Sequence, residues 1–181
     1  MFTRRVALAA LSSAILAQAS DPMAVRDLAG KTVTITPGKH VTVVTFISTQ
    51  CPISNDYNDR MSALYKEFSA KGVNFFFVNA NSTEPAPVVA EHSKSVGFPF
   101  AVYKDENAAD KLGAQTTPEA FVFDTTGKQL YRGYIDDARN VARVQNHGLK
   151  DAIIAAMAGK PVASAQTKAF GCTIKRARRS S

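Results

Sequence analysis

Apolar residues in this chain fall into runs with the two-residue period of strands and runs with the helical period, and their alternation sets the first expectation. Residues 40–48, rich in Val, Thr, Phe and Ile, read as a strand buried on both faces. Met61, Leu64, Tyr65 and Phe68 then recur at helical spacing, in a helix that Ser54 or Asn55 can cap and that Lys71-Gly72 ends. Residues 73–79, with Phe75-Phe76-Phe77 as core, form another strand, followed by a short helix over Ala86–Val96 entered through Pro85 and Pro87. Residues 98–103 make a weaker strand and 107–112 a helical turn ending at Gly113. Residues 120–124 and 129–134 flank Thr125-Thr126-Gly127-Lys128, which reads as a hairpin turn. The last long helix is expected over 141–158, stopped by Gly159 and Pro161, and Asp136-Asp137 before it read as solvated loop charge. Ahead of these, 20–30 reads as a lead-in and 32–36 as an edge strand. The order predicts an α/β fold: one central mixed sheet flanked by helices on both faces.

The N-terminal segment follows another logic. Arg4 and Arg5, an apolar run, and the small-x-small triplet Ala17-Gln18-Ala19 form an export signal over 1–19, too short for a bilayer span of about 20 residues. The expected division is therefore a signal over 1–19, one domain over 20–160, and a flexible tail over 161–181 carrying Cys172 and a basic end. A secreted or periplasmic location follows, with no integral membrane segment after cleavage. The formal charge of +7 includes Arg4 and Arg5 and the four cations of Lys175-Arg176-Ala177-Arg178-Arg179, so the body is nearly neutral. That distribution, with export, argues against nucleic acid as a partner.

Two cysteines are too few to staple a fold, so in an oxidising compartment both are free for chemistry. Cys51 stands in Thr45-Phe46-Ile47-Ser48-Thr49-Gln50-Cys51-Pro52-Ile53-Ser54-Asn55, where strand turns into helix. Unpaired amides at a helix start favour thiolate over thiol, and Pro52 loses nothing there because first-turn amides are unpaired anyway. The polar neighbours argue for partial exposure of the sulfur; an inert buried cysteine is the other reading. Thr116-Thr117-Pro118, before a strand, admits a cis peptide bond.

These segments resemble the thioredoxin-fold superfamily in its redoxin branch, the alkyl-hydroperoxide-reductase/thiol-specific-antioxidant-like and TlpA/ResA-like proteins. The likeness rests on residues 45–55, 72–79, 116–124 and 127–133, and on the ending Gly171-Cys172-Thr173-Ile174-Lys175. It implies a thiol-dependent oxidoreductase with antioxidant or thiol–disulfide activity and no cofactor. Cys51 would be the nucleophile and Thr117-Pro118 the opposite wall of the site. Ser48, Thr49, Ser54 and Thr116 would line it, and Cys172 would be the resolving thiol. The partners implied are a thiol reductant, a disulfide-bearing protein or a hydroperoxide.

The departures matter. Ser54 stands where thioredoxin-type reductases carry a second cysteine, and Val44 and Ser48 stand at the Pro and Thr positions of the peroxiredoxin motif. The peroxidase arginine is missing from 115–121, leaving Arg132 as a substitute. Cys172 reads either as a resolving thiol or, on the other reading, as a permanent disulfide partner of Cys51 or an unrelated thiol. His40, His92 and His147 are too scattered for zinc. A non-catalytic redoxin module that binds a partner protein or copper is the alternative, although Asn55 occupies the position of the second cysteine in copper-delivering relatives.

Overall fold

A strand can be apolar on both faces only where sheet neighbours cover both edges and helices cover both faces. β3 (Thr42–Ile47) occupies that place and is buried at every position. In the computed structural model, which describes residues 21–177, it lies between β4 (Asn74–Asn79), parallel to it, and β7 (Glu119–Phe123), antiparallel. The remaining strands are β1 (Met23–Asp27), β2 (Thr32–Ile35), β5 (Val102–Lys104) and β8 (Gln129–Gly133), in the sheet order β2-β1-β5-β4-β3-β7-β8. Two-residue strands β6 (Thr116–Thr117) and β9 (Cys172–Thr173) pair separately. The expected signal, and Arg178 and Arg179 of the basic end, lie outside the described residues.

The pleat divides the core. Val43 and Ile47 of β3, Phe77 of β4 and Val122 of β7 face one cluster. It is closed by Met61 and Phe68 of α2 (Asn58–Ser69), Val89 of α3 (Ala86–Val96), and Leu149 and Ile153 of α5 (Gly148–Met157). Val44, Phe46, Val78, Phe121 and Phe123 face the other side, under Ala108 and Ala109 of α4 (Ala108–Leu112). No helix of the described residues is long and apolar enough to cross a membrane.

Five local expectations are corrected. The lead-in contains β1, whose Met23 and Val25 are buried and which pairs with β2; Pro22 and the charges around a five-residue strand hide its alternation. The expected single helix after Cys51 is two: α1 (Pro52–Asn55), capped by Cys51, then α2 from Asn58. Ser54 and Asn55 cap neither, because the Ser54 hydroxyl accepts the Ser48 amide and the Asn55 side chain donates to the Thr49 carbonyl. The last helix begins at Gly148, after a 3₁₀ turn at Val141–Arg143. The Asp137 carboxylate holds the intervening loop by accepting from the Gln145 amide and the Asn146 side chain. A side chain at position 148 would meet the Tyr131 hydroxyl at 2.4 Å and the Tyr134 ring at 2.7 Å, so the chain enters α5 through glycine. Asp136 is buried, ion-paired with Arg60 at 3.0 Å and bonded to His147 at 2.8 Å, not solvated.

The C-terminal segment also differs from the expected loose tail. Arg132 exchanges backbone bonds with Ala165 and Thr167, and Phe170 packs edge-on against Tyr57. Ile174 is buried, and Arg176 bonds Asp110 at 2.6 Å. Residues 165–176 thus form a strap across the body.

Candidate active site

The sheet directions bring the site together. Parallel pairing of β3 and β4 places Ile47 opposite Asn79, so the loops leaving both strands emerge side by side. Antiparallel pairing of β3 with β7 places Phe46 opposite Glu119, so the turn before β7 arrives at the same edge. Cys51 lies on the first loop, Glu84 on the second and Thr117-Pro118 on the third. The peptide bond between Thr117 and Pro118 is cis.

Cys51 is the N-cap of α1, with extended backbone, and its Sγ accepts the Ser54 amide at 3.3 Å. With only one turn of helix behind it, the local N–H contributes more than the macrodipole. As a thiol it donates to the Thr117 carbonyl at 3.3 Å. Cys51 is 1 % exposed, which corrects the expected partial exposure, yet its sulfur meets polar backbone groups. Burial pushes its pKa up, but hydrogen bonds from the Cys172 side chain, the Ser54 amide, the Thr117 hydroxyl and the Cys172 backbone outweigh it. The net position is below the ordinary thiol.

Cys172 reaches this site on the strap. β9 pairs with β6 in antiparallel register, Cys172 opposite Thr117 and Thr173 opposite Thr116. The Thr117 hydroxyl donates to the Cys172 carbonyl at 3.5 Å, the Ile174 amide to the Gln115 carbonyl and the Lys175 amide to Asn81 Oδ1 at 2.8 Å. Both thiols are free, and Thr117 joins them: its carbonyl accepts the Cys51 thiol and its backbone pairs with Cys172. The hydrogen bond to Cys51, then burial, pushes the Cys172 thiol up. Of the two thiols, Cys51 is the one favoured to ionise.

Ser48 and Thr49, expected to face a substrate, serve a residue that sequence reasoning missed. Glu84 is 2 % exposed and its carboxylate accepts from Ser48 Oγ at 2.5 Å, the Thr49 amide and hydroxyl at 2.7 Å each, and Asn79 Nδ2 at 2.6 Å. Ser48 Oγ in turn accepts the Cys51 amide at 3.1 Å, so the carboxylate anchors the turn that presents the sulfur. Burial alone would raise its pKa; the donors reverse that and hold the carboxyl below its usual range. The only trace in the sequence is an acid just after an apolar strand and before Pro85-Ala86-Pro87.

The other expected residues divide. Ser54 touches Cys51 through its amide, while its hydroxyl accepts the Ser48 amide. Thr117 touches both cysteines, its carbonyl accepting the Cys51 thiol and its hydroxyl donating to the Cys172 carbonyl. Thr116 has a buried hydroxyl without a partner, and its backbone is paired to the strap. Arg132 does not stand as a substitute for the peroxidase arginine: it is bound to the buried Glu119 at 2.7 Å and to the Gly113 carbonyl at 3.1 Å. Glu119 also accepts the Gln115 and Thr116 amides, fixing the loop before Pro118.

Comparison with known proteins agrees with this architecture. A protein of Geobacillus kaustophilus described as an uncharacterized conserved protein is 28% identical, with a TM-score of 0.81, and the match covers 91% of this chain and 94% of that one. A hypothetical protein of Sinorhizobium meliloti is 26% identical, with a TM-score of 0.79, covering 92% and 97%. A thiol-disulfide oxidoreductase of Bacteroides fragilis shares the fold at 14% identity, with a TM-score of 0.56 over 64% of this chain and 89% of that one. No curated protein matches the chain. The model of the AhpC/TSA family matches residues 16–131, and with a thioredoxin-like sheet carrying Cys51 at its edge, the chain belongs to that family.

Proposed function

We propose that the protein is an exported thiol–disulfide oxidoreductase whose redox unit is the pair Cys51 and Cys172. The observation that carries this reading is the meeting of two free thiols from distant parts of the chain at Thr117, whose carbonyl accepts the Cys51 thiol and whose backbone pairs with Cys172; the first is favoured as thiolate and the second as thiol. Thiol–disulfide exchange needs a stabilised thiolate and a second thiol close enough to close a disulfide without unfolding. A thiolate also performs peroxide chemistry, but the groups that would hold a peroxide are committed elsewhere. The Ser48 and Thr49 hydroxyls bind Glu84, and Arg132 binds Glu119. The clefts of about 400 and 630 Å³ are lined by residues of other parts of the fold, such as Met23, Ile35 and Phe123 or Arg26 and Lys104. The export pattern of residues 1–19 supports a compartment in which disulfides persist.

In this reading two electrons enter or leave as the Cys51–Cys172 bond breaks or forms, and a partner dithiol becomes a disulfide or the reverse. The test is stoichiometric oxidation of the reduced protein. Loss of two hydrogens in mass, loss of maleimide labelling at both thiols, and recovery with a dithiol are expected, together with catalysed exchange between glutathione and a model disulfide. Absence of the internal bond, or consumption of hydrogen peroxide in preference to disulfide, overturns it.

A further inference from the structure

The two sulfurs meet the solvent unequally. Cys51 is 1 % exposed, enclosed by its own helical turn and the Thr117 carbonyl. Cys172 is only half-buried, on the two-residue strand at the rim. The strap is itself part of the cover. It occupies the backbone edge of β6 beside Cys51, an edge that would otherwise be open to an added strand. On its other side it is stitched to Asn81 and Ser82. Its approach to the cis-peptide loop is close: a side chain at Gly171 would lie 2.0 Å from the Thr117 carbonyl oxygen.

We infer that Cys172 is the sulfur that exchanges with the outside partner, and that Cys51 is the inner sulfur that leaves from it or closes onto it. The inference rests on the exchange reading above and reverses the division of labour expected from the sequence. From the disulfide form, a thiolate of an external dithiol attacks Cys172 Sγ. The Cys51–Cys172 bond breaks, its electron pair departs with Cys51 as thiolate, and a partner–Cys172 disulfide remains. The partner's second thiolate attacks the partner sulfur of that bond, and Cys172 leaves and takes up a proton. The sum is one partner dithiol oxidised and one enzyme disulfide reduced. Read backwards, Cys172 attacks a partner disulfide and Cys51 displaces the partner from Cys172. Exchange is faster when the expelled thiol is the better leaving group, and the Ser54 amide at Cys51 provides for that. A strap that holds the β6 edge also keeps an extended partner chain off the inner sulfur.

The experiment compares the single-thiol variants Cys51→Ser and Cys172→Ser, challenged with glutathione disulfide and followed by intact mass and peptide mapping. Cys172 in the first variant should capture glutathione at least about tenfold faster than Cys51 in the second, because access limits the buried sulfur. Adding Gly171→Ala to Cys172→Ser should lift the strap and raise the rate at Cys51 severalfold. In the unsubstituted protein, acid-quenching the reduction of the disulfide form by glutathione should place the mixed disulfide on Cys172. Capture on Cys51 as fast as on Cys172 with the strap intact, or no effect of Gly171→Ala, overturns the assignment. Failure of the unsubstituted protein to form the internal disulfide removes the exchange reading itself. A disulfide that forms but is opened at Cys51 removes only the assignment of Cys172.

Discussion

Replacement of Glu84 tests how the site is held. Its carboxylate is buried and faces no bonded cation; four donors satisfy it, three on Oε2 and Ser48 on Oε1. Glu84→Ala strands all four, and a buried donor left without an acceptor costs about 1–3 kcal/mol. Water entering the vacated volume recovers part of this, so a net loss of about 3–5 kcal/mol is expected, a large share of a typical domain's 5–15. Glu84→Gln is milder. Its amide oxygen takes the three Oε2 donors, and Ser48 Oγ, which already accepts the Cys51 amide, can turn to accept from the new NH₂ as well. Charge assistance is lost and the Ser48 O–H gives up its acceptor, together about 2–3 kcal/mol. The two variants also differ from wild type in pH dependence. Because the folded carboxyl titrates below its unfolded value of about 4.3, its stabilisation is present above that value and disappears as pH falls through the folded one. Urea unfolding at pH 7 and at steps down to pH 3 measures this, and the gap between wild type and Glu84→Gln should close over the acid range. A gap independent of pH, or a Glu84→Ala loss below about 1 kcal/mol, refutes the reasoning.

Other outcomes follow from the same geometry. Cys172→Ala, which removes the side-chain donor that serine would keep, should move the Cys51 ionisation, read from the pH profile of iodoacetamide alkylation, up toward the free-thiol value of about 8.5, since the Cys172 side chain is foremost among the groups lowering it. An unchanged profile would show that the Ser54 amide suffices. Arg132→Ala should cost about 1–3 kcal/mol by leaving buried Glu119 without its cation, while catalysed disulfide exchange survives. Loss of exchange in a folded variant would restore Arg132 to the chemistry. Phe77→Ala, in the centre of the larger core cluster, should destabilise by about 3–5 kcal/mol in denaturant melts, with wild-type alkylation below the transition.

Legibility in the sequence tracked how local the cause was. Continuous apolar runs made β3, β4 and β7 readable, since each is apolar for most of its length. The strand–Cys–Pro–helix junction, and the Thr-Pro step before β7, are local too. Helix boundaries failed where contacts within the turn of residues 48–55, or a loop anchored by Asp137, settled them. Glu84 was unreadable for the same reason: its donors come from β3's end and β4, about 35 positions away for Ser48 and Thr49.

By itself the chain determined a mixed sheet, a lone cysteine at a strand–helix junction and a second thiol near its end, because hydrophobic period and residue chemistry are carried position by position. Only the tertiary structure decided which sulfur is sealed, which carboxylate anchors the turn before Cys51, and that the C-terminal residues close over β6. Those outcomes depend on which strand edges become neighbours, and that is set by packing and hydrogen-bond satisfaction over the whole sheet, not by the order of residues at any one place.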